Sequence, residues 1–248
     1  MIYGTEALIL SRHSYGDTSL ICNLFTKKYG RVSVIAKGAR KPKNLNSAVL
    51  RPLQFIDLHY YYKPKRNIQL LKEATINTHF FATHNDYKKI IASYHVLDIT
   101  NQICKIENPN TIIFRLIKRI MIKINDCNHN NIILYSIFFK LQLLKYIGYQ
   151  PMIDFCNTCN QKLNNATYNW SVGQLVCISC NNNKHADIKF NEQHFNMVKN
   201  LSNTHIDKIK QSWNTNDQIL ESINKYLLYF ISFHIINLKY LKSNRLAI

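Results

Sequence analysis

Four cysteines arranged in two CxxC pairs carry the clearest chemistry in this 248-residue sequence. Cys156 and Cys159 form the first pair, Cys177 and Cys180 form the second, and 17 residues separate the pairs. Each CxxC turn can direct two thiolates at one point, so two such turns supply the four sulfur ligands of a tetrahedral zinc site. Four thiolates leave no open coordination position. The spacing therefore predicts a zinc ion that stabilises structure and does no chemistry.

The residues between the two pairs favour a β-hairpin, because they include Trp170 and Gly173. Two other interpretations of the cysteines remain open. One is a redox CxxC, although a redox motif needs only one pair. The other replaces one ligand by His185, which lies five residues after Cys180. The remaining cysteines are isolated and the total of seven is odd, which does not fit a disulfide framework and favours a reducing cytoplasm: Cys22, Cys104 and Cys127.

Basic residues form the second feature. The chain carries a net charge of +18, and residues 1–80 hold 13 basic and 4 acidic residues, a net of +9 in a third of the length. Between Lys27 and Arg66 there are eleven Lys or Arg residues and one acidic residue, Asp57. Such a density is typical of a surface that follows a phosphate backbone, and a solvated face is the alternative.

Aromatic residues accompany these charges and could stack on nucleic-acid bases. The candidates are Phe25, Tyr60, Tyr61 and Tyr62. Alternation along a strand places Tyr61 opposite its two neighbours. The alternative for each ring is a place in the hydrophobic core.

Short apolar runs bounded by turn residues predict a β-rich domain over residues 1–80. The Lys63–Asn67 segment resembles a hairpin tip, because its proline and charges oppose strand continuation. Five strands with a longer connection between the third and fourth fit an OB-type barrel, and an SH3-like barrel is the competitor. The predicted strands are Glu6–Ser11, Ser19–Thr26, Arg31–Ala36, Gln54–Tyr62 and Asn67–Ile76.

Helical periodicity follows from about residue 80, which predicts a helical domain over 81–248 with the zinc ribbon inserted at about 152–186. Gly148 is a candidate C-cap for the third helix, and Thr215 or Asn216 is a candidate N-cap for the last. The whole chain is thus predicted to be α+β. Apolar sets mark four helices: Ile90, Ile91, Tyr94, Leu97 and Ile99; Ile112, Ile113, Leu116, Ile117 and Ile120; Ile133, Leu134, Ile137, Phe138, Leu141 and Leu144; Leu220, Ile223, Leu227, Phe230 and His234.

The sequence offers no catalytic constellation. It contains no HExxH, no GxSxG and no glycine-rich phosphate loop, and Gly38–Lys41 lacks the spacing of a Walker motif. We therefore predict a binding protein and not an enzyme. No run of about 20 apolar residues predicts a membrane span, and the N-terminus does not resemble a signal peptide.

Several segments of the sequence resemble a known protein family. The stretch Leu24–Lys41 resembles the N-terminal signature of the bacterial RecO recombination mediators, with Tyr15–Asp17 and Leu50–Leu53 at the expected distances on either side. Leu143–Tyr149, which leads into the first cysteine pair, is similar to the junction between helix and zinc knuckle in that family. Leu241–Arg245 is similar to its closing motif.

The resemblance implies an N-terminal OB fold, a helical domain, a zinc ribbon and a role in recombinational DNA repair. It implies binding of single- and double-stranded DNA, annealing of complementary strands, and partners that include RecR and the C-terminal tail of the single-stranded DNA-binding protein, with RecA loaded indirectly. A basic RNA- or ribosome-associated zinc-ribbon protein and a nuclease remain as alternatives. The DNA-binding residues carried over are Lys27, Lys28, Arg31, Lys37, Arg40 and Lys41; the zinc ligands are the four paired cysteines.

Overall fold

The computed structural model describes residues 1–42, 44–78, 80, 85–104, 108–181, 188–209 and 216–235. These residues fall into two compact units, one within Met1–Asp126 and the other within Cys127–Tyr240. The first unit contains a β-barrel and three helices, and the second contains three helices and a small sheet. The fold is therefore α+β, as the sequence predicts. No helix among the described residues has the length and apolar character needed to cross a membrane.

Five strands close into a barrel in the order β1-β2-β3-β5-β4. Neighbours are antiparallel except β3 and β5, which pair in parallel. This arrangement is OB-like, so of the two barrels that the sequence allowed the OB type is confirmed. The predicted turn at Lys63–Asn67 connects β4 to β5. Strand β1 is longer than predicted at both ends, β2 has the predicted bounds, and the ends of the other three strands lie within two residues of the predicted ones. Their bounds are β1 Ile2–Tyr15, β2 Ser19–Thr26, β3 Gly30–Ala36, β4 Phe55–Tyr61 and β5 Ile68–Thr78.

The barrel interior is filled by the apolar side of each strand. Along β4 the burial alternates after Phe55, so that Leu58 and Tyr60 face the core and His59 and Tyr61 face outward. A bulge between Ile9 and Ser11 shifts the pairing of β1 with β2, which allows one long strand to follow the curvature of the barrel.

Three helices belong to the same unit: α1 Asn46–Val49, α2 Tyr87–Ile103 and α3 Thr111–Asp126. Asp86 caps α2, since its carboxylate accepts from the backbone N–H groups of Lys88 and Lys89. In α3, Phe114 lies on the barrel, with its ring centroid 5.8 Å from that of Phe25 and 5.7 Å from that of Phe55.

The apolar set chosen for α2 was partly wrong. Ile90, Ile91 and Tyr94 are only half-buried, whereas the small residues Ala92 and Ser93 are buried. Small side chains bring helix backbones close together, which a search for large apolar residues cannot detect. In α3, Ile112 is 53% exposed, while the other four members of the predicted set are buried.

The second unit contains α4 His129–Tyr146, α5 Glu192–Asn203 and α6 Asp217–His234, with strands β6 Ala166–Asn169, β7 Gln174–Cys177 and β8 Lys189–Phe190. Gly148 ends α4 as predicted, with a φ of +77°. The N–H of Gly148 donates to the carbonyl of Lys145 and that of Tyr149 to the carbonyl of Leu144, the pattern of a Schellman motif.

The side chain of Asn216 accepts from the N–H of Gln218 and caps α6, whereas Thr215 lies outside the described residues. The apolar stripe of α6 is buried as predicted, with His234 half-buried at its end. Helix α5 is not among the predicted helices, because its 12 residues carry only four buried side chains.

Candidate nucleic-acid interface and metal centre

The first cysteine pair lies in a tight turn of the second unit. The N–H of Cys156 donates to the carbonyl of Gln161 at 2.8 Å, and the N–H of Asn160 donates back to the carbonyl of Cys156 at 2.9 Å. Phe155 pairs with Lys162 across the turn, and Asn160 adopts a left-handed φ of +58°. Local backbone hydrogen bonds thus fix the turn that carries this pair.

The second pair is carried by the predicted hairpin. Strands β6 and β7 are antiparallel, with Gly173 at a φ of +65° in the turn between them. Cys177 is the last residue of β7, and Cys180 ends the single 3-10 turn Ile178–Cys180 that follows. The hairpin therefore places the second cysteine pair next to the first.

The four sulfur atoms lie within 4.8 Å of one another. Those of Cys159 and Cys177 are 3.7 Å apart. A tetrahedral ion with metal–sulfur distances of about 2.3 Å would separate its ligands by about 3.8 Å. The N–H of Cys177 also points at the sulfur of Cys156, 3.3 Å away. The donor set and its geometry therefore fit a metal ion held by four thiolates.

The thiols differ in acidity. Burial opposes ionisation of Cys156, but hydrogen bonds from the backbone N–H groups of Cys177, Cys159 and Thr158 outweigh it and lower the pKa to about 6. The pKa of Cys180 is raised to about 12, chiefly because its thiol is hydrogen-bonded to Cys177 and Cys159. Four thiolates at this separation repel one another, and a divalent cation is the group that would allow all of them to ionise.

The other cysteines take no part in this cluster. Cys22, Cys104 and Cys127 are buried, and all seven cysteines are free of disulfide bonds. Burial raises the pKa of Cys22 to about 11 and that of Cys104 to about 12, so both are protonated at neutral pH. His185, the alternative ligand, lies outside the described residues.

The six basic residues predicted to bind DNA occupy two ends of β3 and do not form one patch. Lys27, Lys28 and Arg31 lie at its beginning, next to the β2–β3 turn. Lys37, Arg40 and Lys41 follow its end, where Arg40 donates its backbone N–H to Thr18 in the β1–β2 turn. Seven residues of strand span roughly 20 Å, so each group forms its own end of the barrel. Lys43, also part of the basic run, lies outside the described residues.

Three of the six side chains are engaged within the unit. The Arg31 guanidinium donates to the carbonyl oxygens of Asn101 and Cys104 at 2.8 and 3.4 Å. The Arg40 guanidinium donates to the carbonyls of Gly16 and Asp17. Because carbonyl partners are neutral, both arginines keep their net charge.

Lys27 lies 3.6 Å from the carboxylate of Glu6, which Lys118 of α3 also contacts. By contrast, Lys28, Lys37 and Lys41 are exposed, and none of them pairs with a carboxylate in the described part of the chain. These three lysines are the members of the predicted set that can contact a phosphate without breaking an internal contact.

A cavity of about 720 Å³ opens at the mouth of the barrel, beside the β2–β3 turn. Its wall includes three tyrosine rings in a stack, with Tyr3 in the middle. The Tyr3 ring centroid is 4.5 Å from that of Tyr29 and 4.5 Å from that of Tyr62, with interplanar angles of 18° and 7°. Lys28, Arg31 and Arg66 line the same cavity. Aromatic faces and cations therefore meet at one opening.

The predicted aromatic platforms differ in burial. Phe25 and Tyr60 are 0% and 1% exposed, so they are core residues and cannot stack on a base. Tyr61 is 40% exposed and faces away from its neighbours, as predicted. Tyr62 is half-buried and lines the cavity. Tyr3 and Tyr29 are not among the predicted aromatic platforms. Their rings stack with that of Tyr62 only because β1 pairs with β4 when the barrel closes.

Comparison with known proteins gives matches along almost the whole chain. The family model described as the N terminal of recombination protein O matches residues 1–80, and that of its C terminal matches residues 84–245. Relatives of the chain carry the name DNA repair protein RecO. That of Alkaliphilus metalliredigens is 26% identical over 238 residues, which cover 95% of this chain and 94% of the relative.

The protein of Thermoanaerobacter sp. is 24% identical over 231 residues, covering 93% of this chain and 92% of the relative. That of Chlorobium phaeobacteroides is 30% identical over 175 residues, covering 71% of this chain and 67% of the relative.

Proposed function

The chain belongs to the recombination protein O (RecO) family of DNA repair proteins, and we propose that it is a DNA-binding recombination mediator. In this role it anneals complementary single strands and helps to load a recombinase onto strands that are coated with the single-stranded DNA-binding protein. It acts by binding and not as an enzyme. The observation that carries the proposal is the OB-like barrel, in which exposed cations surround an opening lined by tyrosine rings.

The DNA-binding residues of this proposal are the six at the two ends of β3: Lys27, Lys28, Arg31, Lys37, Arg40 and Lys41. Binding of a phosphate backbone releases condensed counterions, and this release gives an affinity that falls steeply with salt. Lys28, Lys37 and Lys41 contribute most by direct contact, because none of them pairs with a carboxylate among the described residues. Arg31 and Arg40 contribute through their charge while they hold neighbouring loops in place.

We propose that the four cysteines bind Zn²⁺. Four thiolate ligands are typical of structural zinc, and the sulfur separations suit its size. The residues that would hold the ion are Cys156, Cys159, Cys177 and Cys180. The ion would join the first cysteine turn to the β6–β7 hairpin and so stabilise this part of the second unit. Since no coordination position is left open, it would supply structure and no catalysis.

The remaining parts of the proposal follow from family membership. The partners are single- and double-stranded DNA, RecR and the C-terminal tail of the single-stranded DNA-binding protein, with RecA as the recombinase that is loaded. The expected location is the cytoplasm, in association with the nucleoid. The proposed domains are an OB domain over 1–80 and a helical domain over 81–248, of which helices α2 and α3 group with the barrel in the compact unit Met1–Asp126.

The test compares binding with annealing. Anisotropy of labelled single-stranded DNA, double-stranded DNA and RNA of one sequence is measured from low to high salt, and annealing of complementary DNA strands is followed in parallel. We expect salt-dependent binding of DNA and faster annealing than in the absence of protein. Binding of RNA alone would favour an RNA- or ribosome-associated protein. Metal-dependent cleavage of the oligonucleotides would indicate a nuclease.

A further inference from the structure

We propose that the cavity at the mouth of the barrel is a base-binding pocket that holds one unstacked base of a single DNA strand. The inference rests on the proposed function, which requires single-strand binding, and goes beyond it by giving a position to a base. The barrel is not fully covered here: β5 pairs with β3 only from Ser33 to Ile35, so Gly30–Val32 leave an opening towards the β4–β5 turn. Mouths of small β-barrels are common ligand sites.

The aromatic wall of the base-binding pocket is already ordered for stacking. Tyr29, Tyr3 and Tyr62 form a nearly parallel stack that rests edge-on against the buried ring of Tyr60. In the described part of the chain no fourth ring stacks on the outer face of Tyr29 or Tyr62. Tyr29 and Tyr62, at the two ends of the stack, both line the cavity, so a base that enters the cavity can contact the stack. Stacking is available to every base because each has an aromatic face.

The opposite wall is held in a fixed shape by Gln69, which is 3% exposed. Its amide oxygen accepts from the N–H of Lys63, and its amide nitrogen donates to the carbonyls of Lys63 and Arg66 at 3.1 and 2.6 Å. These three bonds hold the β4–β5 turn, which carries Arg66 at the pocket edge. A wall fixed before binding loses little conformational entropy when a ligand enters.

A third wall comes from the segment after α2. The backbone of Asn108 lies against Gly30, where an added Cβ would be 2.4 Å from the Asn108 nitrogen. Pro109 lines the pocket next to it. Arg31 ties the barrel to the carbonyls of Asn101 and Cys104 and so supports this wall. Arg31 is thus a positioning residue of the pocket.

Charge and size both select a nucleotide. Lys28 and Arg66 are exposed at the opening and have no carboxylate partner in the described part of the chain. A phosphate on either side of the bound base can contact them. The volume of about 720 Å³ suits a ligand of one or two nucleotides and excludes a duplex. The pocket therefore favours a base turned out of a single strand.

The first experiment measures the affinity of the full-length, metal-loaded protein for an oligonucleotide with one 2-aminopurine, at about 0.5 M salt where the counterion contribution is small. Tyr62→Leu should weaken binding about 5- to 100-fold and reduce the quenching of 2-aminopurine. Tyr62→Phe should bind like the wild type, because it keeps the ring. Tyr61→Leu is the matched control, since Tyr61 faces the other side of β4, and should also bind normally.

The second experiment needs no variant and so does not depend on whether a variant folds. Single-stranded DNA containing 5-iodouracil is irradiated with the wild-type protein, and crosslinked peptides are identified by mass spectrometry. Crosslinks at Tyr29 or Tyr62 are expected. Crosslinks confined to residues outside the base-binding pocket would overturn the inference.

A mononucleotide distinguishes the two possible sources of the base. Thymidine monophosphate should displace the 2-aminopurine oligonucleotide only at concentrations far above the oligonucleotide affinity; displacement at equal concentration would make a free nucleotide the ligand and overturn the inference. If binding at low salt persists while Tyr62→Leu changes nothing, only the pocket assignment fails. If the wild type binds no single-stranded DNA at low salt, the proposed function fails as well.

Discussion

Lys140 in α4 is a buried amine, and its replacement gives a stability change whose size and sign follow from its surroundings. Lys140 is 2% exposed, and its Nζ donates to the carbonyl and hydroxyl of Ser136 and, at 2.8 Å, to Oδ1 of Asn224. No carboxylate pairs with it in the described part of the chain. Burial lowers its pKa from 10.5 to about 7.

This lowered pKa fixes the direction of the pH dependence. Between pH 7 and 10.5 the unfolded chain holds a proton on Lys140 that the folded chain releases, so stability rises with pH through this window. Below about pH 7 Lys140 is protonated in both the folded and the unfolded chain, so the free-energy cost of burying its charge is at its maximum and does not change with pH. The difference between the two pKa values corresponds to roughly 5 kcal/mol.

The variant Lys140→Met removes the amine and keeps a side chain of similar length. It leaves Ser136 and Asn224 without a donor, which costs about 1–3 kcal/mol. We therefore expect the variant to be more stable than the wild type by about 2–4 kcal/mol at pH 6.5 and to lose this advantage by pH 10.

Urea unfolding of the protein in buffer that contains Zn²⁺, at several pH values, measures the effect. Lys145→Met is the control, since Lys145 is exposed in the last turn of the same helix, and its replacement should change the free energy of unfolding by less than about 0.5 kcal/mol. Parallel pH curves for wild type and Lys140→Met would contradict this expectation, because they would mean that the amine keeps its ordinary pKa in the folded protein.

Three further variants test the metal centre, the charges and the pocket wall. Cys177→Ser should lose the metal and destabilise the second unit while the barrel stays largely folded, and metal analysis of the purified variant checks this. The control Cys22→Ala should keep the metal. Full metal occupancy in Cys177→Ser would mean that the ligand set is different. Replacing the exposed barrel lysines Lys28, Lys37 and Lys41 by Gln should lower the salt slope of single-strand binding by about 2, since each phosphate contact contributes about 0.7. The same change at three exposed lysines of the second unit, Lys145, Lys189 and Lys199, should have a smaller effect on this slope. Gly30→Ala should lower thermal stability more than Gly16→Ala, because both glycines have positive φ but only Gly30 contacts a backbone; equal losses would contradict the close approach to Asn108.

Local patterns explain why much of the barrel could be predicted from the sequence. Strands β2 and β3 are short apolar runs that end at turn residues, and both were predicted within one residue. The CxxC pairs specify their own turns, and Gly148 ends α4 through its left-handed conformation. Each of these features depends on residues that are close together in the chain.

Features that depend on distant segments could not be predicted. The stack of Tyr29, Tyr3 and Tyr62 exists only when the barrel closes, and neither β1 nor the β2–β3 turn indicates it alone. The hydrogen bonds of Arg31 run to residues 70 and more positions later in the chain. For this reason a run of basic residues could be recognised as a surface, but which of its side chains are held by internal contacts could not.

The proposed function requires this protein to act on single strands that are coated with the single-stranded DNA-binding protein. The most direct measurement follows annealing of complementary DNA strands that are saturated with the cognate single-stranded DNA-binding protein, with and without the purified protein. We expect annealing of the coated strands in its presence, and loss of that activity when Lys28, Lys37 and Lys41 are replaced by Gln. Annealing of bare strands with none of coated strands would contradict the proposed function and leave only a DNA-binding protein.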